Sequence, residues 1–323
     1  MKIPRYWASA EKEITTRDGN QLSATKWYWS DESEDQARLL AKDRLETMLS
    51  RLHAGERWPE RRAYDYGENS PLREERLRDV QLPDGHAIIT RNAYGALILN
   101  VENVMFVDID LAHDDRSASA AGRHTRAFAD QPEMFSFQWF VNLIMEKVFG
   151  TPPASSRLQA AAPPSAPSAP QSYPALEAAD RWAAQHPGTV FRAYQTKSGY
   201  RLIAMHDTFA PDAPETLRIL QELGCDPVYI RLCKNQQSFR ARLTPKPWRV
   251  SAFQTTPPAR FPYPAAMLNQ MQKWIAAYDN ASAAYATCRY IKTIGNGTTN
   301  PTAQAVANLH DEISRAETSL PLA

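Results

Sequence analysis

Cysteine is scarce: 323 residues hold three, Cys225, Cys233 and Cys288. So few thiols exclude a disulfide framework and suit a reducing compartment. Cys225 and Cys233 also lack the Cys-x-x-Cys spacing and the second pair that a structural zinc ion needs. No stretch of about eighteen apolar residues occurs, so no spanning helix is expected. Met1 to Trp7 carries no apolar run of the kind found in a secretory leader, and a cytoplasmic protein is the expectation. Net charge is missing as well, with 37 Lys and Arg against 36 Asp and Glu. Without a global field, only local patches can recognise nucleic acid or a membrane surface.

Aromatic residues are plentiful: 8 Trp, 13 Tyr and 11 Phe indicate a packed protein rather than a disordered one. The length suits one large or two ordinary domains. Ile3 to Trp29 reads as a strand pair around an Asp18-Gly19 turn. Asp31 and Glu34 then open a helix whose inner face is Ala37, Ala41, Leu45, Met48, Leu49 and Leu52. Between Glu56 and Arg78, six arginines alternate with Trp58, Tyr64 and Tyr66, a composition that can hold a nucleic-acid strand. Six acidic residues in the same stretch nearly cancel them and favour an ordinary solvated surface. Gly85 to Leu99 reads as a hairpin turning at Arg91 to Gly95.

Residues 133–149 form an expected helix, apolar on nearly every side and without charge from Met134 to Met145. Twelve residues rise only about 18 Å, too short for a bilayer core. Such a helix is either buried or offers a surface to a partner or a membrane interface. Residues 151–172 hold six prolines among alanines and serines and read as a linker. Beyond it come a helix over 174–186, a hairpin from Thr189 to His206 and a helix over 214–223. Asp226 to Leu232 and Ser238 to Leu243 then read as strands, and Gln270 to Tyr290 and Pro301 to Thr318 as helices. The expected architecture is α+β, with a mixed or antiparallel sheet and flanking helices. Residues 1–150 form an N-terminal part, and 173–323 a C-terminal part that completes the same sheet.

The sharpest chemical feature is the end of the run Val104 to Asp110. Apolar and β-branched at both ends, Val104 to Val107 reads as a strand buried on both faces. Alternation along a strand then points Asp108 and Asp110 the same way, about 6.6 Å apart. Two carboxylates at the end of a central strand suit a divalent cation, with water or phosphate oxygens completing its shell. The competing role for them is capping the following turn. A second group is the hairpin tip, where Lys197, the Ser198 hydroxyl and the Gly199 amide suit an anion, against a plain turn with a solvated lysine. His206 ends that hairpin and is read as structural or exposed in preference to a ligand. The third group is Arg240, Arg242, Lys246 and Arg249, with no acidic residue anywhere from Arg231 to Arg249. Guanidinium–phosphate contacts are its natural use; simple neutralisation of the Asp108 cluster is the alternative.

The blocks Val104 to Asp110, Arg192 to His206 and Ser238 to Arg249 resemble those of an uncharacterised bacterial protein family. More distantly, their order is similar to that of archaeo-eukaryotic-type primase-polymerases. That resemblance implies a metal site at Asp108 and Asp110, binding Mg²⁺ or Mn²⁺. It implies a nucleotide-binding serine at Ser198 and phosphate-facing cations at Arg240, Arg242 and Lys246. Tyr200 stands where the family has a histidine, and Asp226 is the nearest candidate for a third metal ligand. The expected function is metal-dependent handling of nucleotide or nucleic-acid phosphates, nucleotidyltransferase-like if catalytic. The alternative is a non-catalytic binding or scaffold protein that works through residues 133–149.

Overall fold

Every pairing between the described strands is antiparallel. The computed structural model describes residues 1–15, 21–54, 71–111, 173, 176–250 and 255–323. Apart from residue 173 these fall in one compact unit, Met1–Glu56, Tyr66–Ala112 and Ala175–Ala323. The arginine-rich stretch before Ser70, the apolar helix expected over 133–149 and the proline-rich linker lie outside the described residues. Ten strands and six helices occur among the described residues, so the protein is α+β with antiparallel sheets. No described helix is long and apolar enough to cross a membrane.

Strands β1 (Tyr6–Thr15) and β2 (Gln21–Ser30) form a two-stranded hairpin, packed on helix α1 (Glu34–His53). Ala37, Ala41, Leu45 and Leu49 are buried on the side that periodicity assigns them. The helix is capped by Ser33, whose hydroxyl accepts from the Gln36 amide at 3.1 Å; Asp31 instead accepts from the Arg5 amide. 

The first four-stranded sheet runs β3 (Glu75–Gln81), β4 (His86–Arg91), β5 (Leu97–Val101) and β9 (Phe239–Arg242). The second runs β10 (Cys288–Gly295), β7 (Val190–Thr196), β8 (Gly199–Ala204) and β6 (Phe106–Asp110). Two of these pairings, β5 with β9 and β6 with β8, join strands from either side of residues 112–172. Val104 to Val107 is fully buried, as a continuous apolar run requires.

The remaining helices are α2 (Glu177–Gln185), α3 (Pro214–Glu222), α4 (Pro227–Gln236), α5 (Leu268–Ser282) and α6 (Pro301–Ser314). Two of the sequence expectations fail here. Asp226 to Leu232 is the start of a helix, not a strand: the Asp226 carboxylate accepts from the Val228 and Tyr229 amides, and Pro227 fills the first helical position. The helix expected over Gln270 to Tyr290 stops at Ser282, and Cys288–Gly295 pairs with β7 as an edge strand. Thr287, Ile291, Thr293 and Ile294 supply the β-branched content that wins over helical continuation there.

Candidate functional site

The two four-stranded sheets meet at the ends of β6 and β9. On β6, Asp108 stands opposite Arg201 of β8, and Asp110 opposite Gly199. Gly199 lets the strands close: a Cβ there would collide with the Ile109 carbonyl oxygen. The Leu111 amide then donates to the Ser198 carbonyl at 3.1 Å, tying the end of β6 to the hairpin tip. From the other side, the Asp226 amide donates to the Asp108 carbonyl at 2.9 Å, so the N-terminus of α4 sits against the same strand.

Asp108 and Asp110 share a face but not a condition. Asp108 is about one-third exposed (34%) and takes a 3.3 Å bond from Arg201, which is 3% exposed. Arg201 also donates to the Arg242 carbonyl at 3.1 Å and lies 3.4 Å from His310 Nε2. His310 Nε2 also lies 3.8 Å from the buried Cys288 sulfur, and His310 Nδ1 lies 2.9 Å from Asp311. A buried chain from Asp311 through His310 and Arg201 therefore braces Asp108. Asp110 lies at the exposed end of the strand, and its carboxylate makes no hydrogen bond or ion pair among the described residues. Loss of hydration holds its carboxyl above the usual range; the charges of Asp108 and Asp226 add to this, while Lys246 and Arg242 oppose it.

The cations come from the segment that leaves β9. Arg242 and Lys246 donate no side-chain hydrogen bond among the described residues, and the buried Nε of Arg242 has no partner. Arg249 donates to the Ser198 hydroxyl at 2.6 Å, and so brings the hairpin tip into the cluster. Burial draws the Lys246 ammonium down to about 8, with Arg242 and Arg249 pushing the same way against Asp110 and Asp108. Burial and Arg242 likewise lower Arg249, while Asp110 pulls against them. Three cations thus crowd one another beside two carboxylates, and two of them have donors uncommitted.

Not every residue expected in the site lies there. Arg240 turns inward and forms a buried ion pair with Glu74 at 2.7 Å, each side chain under a tenth exposed. Thr90 completes the Glu74 shell, and Tyr229 bonds the Arg240 backbone, so Arg240 fastens α4 to β9 rather than facing a ligand. Lys197 is exposed at the hairpin tip and makes no hydrogen bond or ion pair among the described residues. Asp226 lies close enough to act on Asp110, but its carboxylate is spent on the helix cap. Tyr200 is buried in β8 opposite Ile109. His206 is bound to the Val190 backbone and packed edge-on by Phe191 and Phe209. All three cysteines are buried and form no disulfide.

Among the described residues no group of three His, Cys, Asp or Glu side chains is placed to hold a metal ion. The available donor set is Asp108 and Asp110, which suits Mg²⁺, an ion that keeps waters and is held by one or two carboxylates plus substrate phosphates. Sequence reasoning missed Arg201, whose position opposite Asp108 follows only once the register is known. It also gave no role to Tyr94 and Trp248, whose rings lie 5.2 Å apart edge to face beside Lys246. A separate groove of about 620 Å³ is lined by Trp7, Trp27, Arg38, Arg73, Arg260 and Tyr263, with Arg73 4.2 Å above the Trp27 ring. Comparison with protein-family models, with curated proteins and with solved structures found no match to this chain.

Proposed function

We propose that this protein handles the phosphates of a nucleotide or nucleic acid with the help of a divalent cation, at the β6–β9 junction. One observation carries this: the uncommitted carboxylate of Asp110 lies among Arg242, Lys246 and Arg249, two of which have uncommitted donors. In a purely structural network these charges would pair with one another, as Arg240 and Glu74 do. Leaving them unpaired and crowded costs stability, and such cost is the mark of a site kept for a ligand.

Asp108 and Asp110 would hold Mg²⁺ or Mn²⁺, which would polarise a phosphoryl oxygen and neutralise developing charge. Arg201, braced by His310, orients Asp108 toward that position. Arg242 and Lys246 take the non-bridging phosphate oxygens, the first as a planar fork and the second as a point charge. Arg249 holds the Ser198 hydroxyl, which keeps a proton to donate to a further oxygen. A degenerate primase-polymerase-like enzyme fits this arrangement.

The Asp108–Arg201 pair favours the second reading, a scaffold in which the acids are simply neutralised. Binding separates the two. Nucleoside triphosphate affinity should rise when Mn²⁺ is added, and Asp110→Asn should abolish only that increment. Arg242→Met with Lys246→Met should weaken binding with or without metal. A metal increment that survives Asp110→Asn would rule the carboxylate out of the site.

A further inference from the structure

We infer that the phosphates taken at this site belong to a nucleobase-bearing ligand, and that the base lies on the indole of Trp248. This rests on the phosphate-handling reading above and adds the side chain that receives the base.

Trp248 sits in the short helical turn Pro247–Arg249, between Lys246, one of the phosphate-facing cations, and Arg249, which holds Ser198. It is 51% exposed, in a chain that otherwise buries or half-buries its described tryptophans. A single exposed apolar side chain needs no explanation on its own. What sets this one apart is its surroundings. The Lys246 ammonium lies 5.5 Å from the ring centroid, and Arg249, next in the chain, reaches Ser198. Pro245 and Pro247 bracket Lys246, so the order cation, indole, cation is stiffened by two fixed φ angles.

The Tyr94 and Trp248 rings, 5.2 Å apart at 65°, pack edge to face, which orients the indole. Tyr94 is itself fixed: its amide and that of Ala96 donate to the Asn92 side chain in the β4–β5 turn. An oriented, half-exposed indole next to phosphate-binding cations is the arrangement that stacks a base while its phosphates are held. An inorganic polyphosphate or a sugar phosphate would use the cations and leave the indole idle.

The test compares ATP with inorganic tripolyphosphate, each with Mg²⁺, on wild type, Trp248→Leu and Trp248→Phe. ATP should quench tryptophan emission in wild type, and the quench should vanish in Trp248→Leu. Loss of the stacked ring should weaken ATP about tenfold. Tripolyphosphate should bind the wild type and both variants alike, and Trp248→Phe should recover part of the ATP affinity. Because the side chain is half exposed, an unchanged thermal transition in Trp248→Leu is expected and shows that folding is intact. Equal affinity for both ligands, unaltered by Trp248→Leu, would overturn the base platform and leave the phosphate site standing. Failure of both ligands to bind wild type would overturn the phosphate reading itself, and this inference with it.

Discussion

Lys246 carries a charge that the fold disfavours, and this gives a test at the scale of one residue. In the unfolded chain lysine keeps its proton to its ordinary value of 10.5, whereas in the folded protein Lys246 loses it at about 8. Between those values the unfolded state binds more protons, so this residue makes stability rise as pH climbs from about 8 to 10.5. Lys246→Met removes that slope and should raise the unfolding temperature below pH 8, measured in EDTA to keep metal out. The same variant should lose triphosphate affinity at pH 7, and the wild type should lose it as pH rises past about 8. A variant both less stable and equally tight would contradict a ligand-directed role for Lys246. Residue-scale features were unevenly legible. Asp108 and Asp110 followed from strand alternation, because the period alone sets their shared face. Arg240 did not, because the period cannot tell what waits on that face, and Glu74, 166 positions away, was waiting.

At the scale of elements, the site depends on how closely β6 and β8 approach. Gly199 has no side chain because the Ile109 carbonyl occupies the space. Gly199→Ala should push the end of β6 away, cost about 1–3 kcal/mol in denaturant unfolding and weaken metal-dependent binding more than the charge-only component. Full retention of both would show that β6 and β8 can part without harm. The β4–β5 hairpin, with its Asn92 to Gly95 turn, was readable from local turn chemistry. Helix α4 is hard to read locally because Val228, Tyr229 and Ile230 have strand character, which the Asp226-Pro227 capping signal outweighs. Strand β10 is masked by Ala283, Ala284 and Ala286, which extend the composition of α5 past its end at Ser282.

At the scale of the whole described unit, the candidate site is assembled from chain segments far apart in sequence. β6 precedes residues 112–172, and β8 and β9 follow them, yet β6 pairs with β8 and β5 with β9. The order of blocks along the sequence suggested such a meeting, but only the registers bring Arg201 to Asp108 and Arg242 to Arg201. Register is a tertiary property, set by the buried faces of Phe106, Val107, Leu202 and Ile203, and no local pattern encodes it.

The central claim, that this junction holds a divalent cation for phosphate chemistry, is tested most directly by calorimetric titration of Mn²⁺. The titration is run with and without a nucleoside triphosphate, on wild type and on Asp108→Ala/Asp110→Ala. Mn²⁺ should bind the wild type, bind more tightly with nucleotide present, and fail to bind the double variant. No binding to the wild type, with the variant folded but destabilised, would contradict the claim and leave the two carboxylates a structural task alone.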